Sequence, residues 1–74
     1  MTIYTVEQSS DSMLPAVLIT ITSNCNAAHE MAQRLAKMGS VNDLPVTEAE
    51  GPNTHVYIDP KKGSYGRVTK WEVY

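Results

Sequence analysis

The sequence predicts an α+β domain, with one amphipathic helix packed on one face of an antiparallel sheet in the order β-β-α-β-β. Three observations predict it. Two runs rich in β-branched residues precede the only stretch with helical periodicity. Two further runs follow it, separated by Gly- and Pro-containing turns. The 74 residues leave room for one domain, 1–74.

The first run, Thr2-Ile-Tyr-Thr-Val-Glu7, reads as a strand. Gln8 to Pro15 is rich in Ser, Asp and Pro and reads as a turn. Ala16 to Thr22 is the second strand, where alternation should turn Val17, Ile19 and Ile21 to the core and Leu18 to the outer face. Ser23-Asn-Cys-Asn26 is a helix-start cluster, with Asn24 or Asn26 as N-cap. From Ala27 the period changes. Ala28, Met31, Leu35 and Met38 form an apolar stripe with Ala32 beside it, and Glu30, Gln33, Arg34 and Lys37 lie opposite. Gly39 suits the left-handed position that closes a helix.

Ser40 to Leu44 reads as a loop anchored by Val41 and Leu44. Pro45 to Glu50 is an edge strand or extended segment, so the sheet has four strands, or five if a strand forms near Val46. After the Gly51-Pro-Asn53 turn, Thr54 to Asp59 puts Val56 and Ile58 on one face and His55 and Tyr57 on the other. Pro60 to Gly66 is hairpin punctuation with Tyr65 exposed at its tip. Arg67 to Tyr74 is the last strand, with Trp71 and Val73 sharing a face. The face away from the helix should carry Leu18, a Tyr or Val of the first strand, and Tyr57 or Tyr74, which suits a homodimer through that face.

The composition constrains function. The single Cys25 rules out an internal disulfide, and no run nears the ~20 apolar residues of a membrane span. The N-terminal residues lack the basic and apolar regions of a signal peptide. The expectation is a cytoplasmic protein with no membrane partner. Net charge is −2, but it is polarised. Two bases face six acids up to Glu50, and four bases face two acids from Gly51 on.

Motifs for chemistry are weak. Cys25, His29, His55 and Asp59 are the side chains from which a thiol nucleophile or a zinc site could be written. No paired Cys motif supports either, so no catalytic residue and no metal or other cofactor is assigned. Glu48 and Glu50 have nothing nearby in sequence to make them an acid-base pair. Lys61-Lys-Gly-Ser-Tyr-Gly-Arg67 is the most suggestive segment, combining glycines, cations and an aromatic ring. The partner-binding candidates are accordingly Lys61, Lys62, Tyr65, Arg67 and Lys70.

A chain this small, without a cofactor motif, has little capacity to build a dry, preorganised active site. The expectation is a non-catalytic binding protein, not an enzyme, that occupies a surface of a larger protein or protein complex. In size and style it resembles the small acidic inhibitors encoded by phages and mobile elements, anti-CRISPR proteins among them, which implies steric blocking of a host machine. The alternative is a nucleic-acid-binding module using the basic C-terminal hairpin. A Cys/His enzyme or metal protein ranks third.

Overall fold

The computed structural model describes residues 1–11, 13–38 and 44–74. Gly39 and the loop anchor at Val41 therefore lie outside the described residues, as do Ser40, Asn42 and Asp43. The chain forms β1 (Thr2–Ser9), β2 (Val17–Thr22), α1 (Cys25–Lys37), β3 (Thr47–Glu50), β4 (Thr54–Ile58) and β5 (Tyr65–Glu72). Among the described residues this is an α+β fold of five antiparallel strands, in the order β2-β1-β5-β4-β3, with one helix on one face. The fifth strand is the one expected near Val46. No helix among the described residues is long and apolar enough to cross a membrane.

The middle of the sheet is a long-range pairing. β1 and β5 run antiparallel over eight residue pairs, from Thr2 against Glu72 to Ser9 against Tyr65. Hairpin contacts then add β2 to β1, β4 to β5 and β3 to β4. Asn24 starts the helix as its N-cap: its side chain accepts from the Ala27 backbone N–H at 3.0 Å. Helical residues begin at Cys25, two residues before the change of period in the sequence.

The helix packs with its backbone nearly against the sheet. Its buried residues are Ala28, Ala32, Leu35 and Ala36, and they meet Val6, Tyr57 and Val68. Ala28, Ala32 and Ala36 recur at four-residue spacing and present a seam with almost no side-chain height. Gly66 on β5 completes the contact. A Cβ built there would fall 2.8 Å from both the Cα and the carbonyl carbon of Ala32, and closer still to its oxygen. Only a glycine admits this approach.

That seam overturns two expectations. The stripe of Met31, Leu35 and Met38 does not form the buried face: Leu35 is buried, but Met31 and Met38 are exposed. The helix has turned its alanines inward instead. Nor do Val17, Ile19 and Ile21 close on it, since they are 62%, 44% and 57% exposed. β2 is an edge strand, and the helix lies mainly over β5, β1 and β4. A β-bulge also breaks the alternation. Thr20 pairs with Val6 and Leu18 with Glu7, so Ile19 has no opposite number. The half-buried residues of β2 are Thr20 and Thr22.

The β4–β5 turn is built by Asp59, which is fully buried. Its Oδ1 accepts from the backbone N–H groups of Lys61 and Lys62, at 3.0 and 3.3 Å. Its carbonyl accepts from Gly63, whose φ of 79° lies in the left-handed region. The neighbouring Ser64 hydroxyl, also buried, donates to the Ala36 carbonyl at 2.8 Å and ties the turn to the last helical turn.

The two kinds of helix contact make opposite predictions for truncation and enlargement. Gly66→Ala should destabilise the fold by about 1–3 kcal/mol, because the added methyl drives the helix off the sheet. Met31→Ala should stay within about 0.5 kcal/mol of wild type, as expected of an exposed side chain. Urea denaturation of the two variants measures both.

Candidate functional site

Strand register divides the side chains between two faces. Val6, Val68, Gly66, Tyr57 and His55 point to the helix, so their neighbours point away from it. The outer face carries Ile3, Thr5 and Glu7 of β1, Tyr65, Arg67, Thr69 and Trp71 of β5, and Val56 and Ile58 of β4. Leu18 lies there as expected, opposite Glu7. The tyrosine and valine of β1 do not: Val6 is buried beneath the helix and Tyr4 shares its side of the sheet. Tyr57 also belongs to the helix side, where its ring is buried.

The centre of the outer face is one ion pair. Arg67 donates from Nη2 to Glu7 Oε2 at 2.7 Å and from Nε to Oε1 at 3.3 Å. Thr69 donates to the same Oε1 at 3.4 Å. Hydrogen bonding to Glu7 holds the Arg67 guanidinium above its already high ordinary pKa, against the opposing effect of burial. Trp71 sits one end of the row away, 52% exposed, with its indole Nε1 donating to the Thr5 hydroxyl at 2.9 Å. The indole is thereby held at a fixed tilt with much of its ring in solvent.

The five partner-binding candidates fall at three places. Tyr65 and Arg67 share the outer face with Trp71. Tyr65 opens β5 half-buried and does not sit exposed at a hairpin tip as expected, because the turn closes at Gly63 and Ser64. Lys61 and Lys62 are exposed in that turn, where the Lys62 ammonium reaches the Met38 carbonyl at 3.4 Å. Lys70 lies on the opposite face at the far end of β5 and pairs with Glu72 at 3.7 Å. The sequence singled out Tyr65 and Arg67. Strand alternation puts Trp71 on their face of β5, and Glu7 joins them only through the β1–β5 register.

The helix side holds a second constellation. Tyr4, Cys25, His29, His55, Glu50 and Lys70 line an open groove of about 260 Å³ between the start of α1 and the sheet. His29 Nδ1 and the Tyr57 hydroxyl are 2.7 Å apart. The two imidazoles meet edge to face, with centroids 5.1 Å apart, and His55 stacks on Tyr57 at 4.5 Å. His55 in turn stands between Glu48 (Nε2 to Oε1, 2.8 Å) and Glu50 (Nδ1 to Oε1, 3.7 Å). The acidic pair of β3 therefore clasps a histidine of β4.

Cys25 is exposed. Beside it, the Tyr4 hydroxyl is pushed above its ordinary pKa, first by hydrogen bonding to the thiol and then by burial. Asp59 lies at the other end of the sheet in the β4–β5 turn, so the four side chains Cys25, His29, His55 and Asp59 do not converge. Among the described residues no group of three or more Cys, His, Asp or Glu side chains could hold a metal ion.

His29 supplies a pH prediction. Burial, followed by the neighbouring His55, lowers its pKa below the ordinary value of ~6.5. The folded state thus prefers neutral His29, and the unfolded chain binds the proton more readily. Its contribution to stability is complete above pH ~6.5 and is lost as pH falls through the lowered folded value. The stability difference between wild type and His29→Gln should therefore shrink from pH 7.5 to pH 5, as read from urea denaturation at each pH. Compared with known proteins, the chain gives no match to any family model, curated protein or solved structure.

Proposed function

We propose that this is a non-catalytic binding protein that seats the outer face of its sheet on a larger protein and blocks that surface sterically, in the manner of small phage-type inhibitors. The observation that carries the reading is the uncovered row Tyr65, Arg67, Thr69 and Trp71 along β5, flanked by Ile3 on β1 and by Val56 and Ile58 on β4. No second layer lies over it among the described residues.

The chemistry of the row suits a protein partner. Trp, Tyr and Arg are the residue types that dominate binding energy at protein interfaces, and here they stand on a rigid central strand. The one pair of charges in the row, Glu7 and Arg67, is already matched, so covering it leaves no single charge stranded. The thirty-one strand residues of the sheet, at ~3.3 Å rise and ~4.8 Å spacing, offer a face of roughly 500 Å². That suits a contact somewhat smaller than the ~800 Å² per partner of a standard interface.

A nucleic-acid module would require the cations to form a stripe along one surface. Lys61 and Lys62, Arg67, and Lys70 occupy three separate places, and Arg67 is already engaged by Glu7. The protein-binding reading follows the geometry more closely.

The test is capture from the native host with tagged wild type and with Trp71→Ala, followed by reconstitution with the purified partner. The variant should keep its circular dichroism spectrum and lose about 2 kcal/mol of binding, roughly thirtyfold in Kd. Reconstituted binding that is indifferent to Trp71→Ala, or no protein partner at all, defeats the reading. Retention on oligonucleotides that falls steeply with salt would replace it with the nucleic-acid alternative.

A further inference from the structure

The exposed apolar side chains are not spread evenly. Of the thirteen large hydrophobics exposed among the described residues, six fall in Met13 to Ile21: Met13, Leu14, Val17, Leu18, Ile19 and Ile21. Four of them are all the Val, Leu and Ile residues of β2, and β2 is an open edge of the sheet.

The pattern on β2 is not that of a strand waiting for a layer on one face. Val17 pairs with Gln8, in the same row as Gly66 and Tyr57, and so points to the helix side. Leu18 and Ile21 pair with Glu7 and Thr5 and point to the outer side. Both sides are exposed. A layer stacked on the sheet would cover one side only. A strand lying alongside β2 covers both, and it also meets the backbone N–H and C=O groups that an edge leaves unpaired.

The two edges differ in how they are defended. β3 is four residues long, follows closely on Pro45 and carries Glu48 and Glu50, all features that blunt an edge. β2 is six residues long and uncharged, and its one protective feature is the bulge at Ile19. From Ser12 to Ala28 the sequence contains no Asp, Glu, Lys, Arg or His. Two copies, each of net charge −2, repel, and this neutral sector is where they can approach at least electrostatic cost.

We propose that β2 pairs antiparallel with the β2 of a second copy, joining two five-stranded sheets edge to edge about a two-fold axis. A copy is the occupant that fits these observations. An antiparallel pairing of identical strands is self-complementary, sets Val, Leu and Ile against the same residues, brings no charge into the contact, and closes without leaving either β2 edge open. The acidic β3 edge remains outermost on each side. The pairing also enlarges a core that, among the described residues, has seven buried apolar side chains, three of them alanine, in a chain of a size that commonly relies on assembly. It is independent of what the outer face binds.

Sedimentation velocity of the full chain from about 1 to 300 µM should show a concentration-dependent monomer–dimer equilibrium. Leu18→Lys and Ile21→Lys, both at exposed positions, should each weaken it at least tenfold while retaining the circular dichroism spectrum. Glu48→Gln, on the β3 edge at the opposite side of the sheet, should leave it unchanged. In wild type, hydrogen exchange of Ala16 to Ser23 should slow as concentration rises, because roughly half the β2 amides point away from β1. A monomer throughout the range overturns the proposal. So does a dimer whose β2 amides exchange at the same rate at every concentration, or one that the β2 variants leave intact.

Discussion

The contact between Ala32 and Gly66 is the constraint on which the rest of the molecule depends. Two backbones meet with no side chain between them. Such an approach makes the interior thin, so the seven buried apolar residues among those described include three alanines and one aromatic ring. Dispersion and burial both scale with the atoms enclosed, and a thin interior encloses few. The chain compensates with hydrogen bonds at the ends of the seam. Asn24 caps the helix at one end, while Ser64 and Asp59 fasten the β4–β5 turn beneath its last turn at the other.

A thin interior also accounts for what lies outside it. With alanines taking the inner face of α1, Met31 and Met38 are displaced toward solvent. With the helix drawn onto β5, β1 and β4, the β2 edge receives little cover. The exposed Val, Leu and Ile residues of β2 are thus a direct outcome of where the helix can approach, and Gly66 on β5 decides that. The same tight packing leaves the outer face uncovered among the described residues, because α1 has already committed to the other side. Structure and surface chemistry here follow from one choice of small residues.

Much of this was legible in the sequence, and the failures share a cause. Strand positions, the helix, its Asn24 cap and the fold class follow from local signals: β-branched runs, a change of period and a side chain that can satisfy a free N–H. Which side of each element faces inward is less local. Ala28, Ala32 and Ala36 form as valid a helical stripe as Met31, Leu35 and Met38, and hydrophobicity favours the larger residues. Gly66, thirty-four positions beyond Ala32, is what decides between them. Val17, Ile19 and Ile21 alternate as a core-facing set should, yet sheet order makes β2 an edge and the bulge disrupts its phase. Tyr65 and Arg67 stood out by residue type. Their place beside Trp71 follows from alternation along β5, but their union with Glu7 depends on a register between β1 and β5 that spans most of the chain. Asp59 gave no sign that its carboxylate would organise a turn.

The Glu7–Arg67 pair shows why the outer face can be both apolar and specific. In water a half-exposed pair of this kind contributes about 1 kcal/mol or less, so it is a poor candidate for a stabilising role. Removing water from it changes the sign of the argument. A charge covered alone is penalised heavily, whereas this pair enters the interface with two Arg67 donors and a Thr69 hydroxyl already on the carboxylate. Covering it therefore costs less than covering either charge alone, but the guanidinium keeps unused N–H donors. A partner that presents an acceptor to those donors gains a charge-assisted hydrogen bond, and one that presents only hydrocarbon leaves them unmet. The apolar flanks reward any greasy surface. The ion pair between them selects among such surfaces, and it can do so because strand β5 holds it fixed in the same row as Trp71.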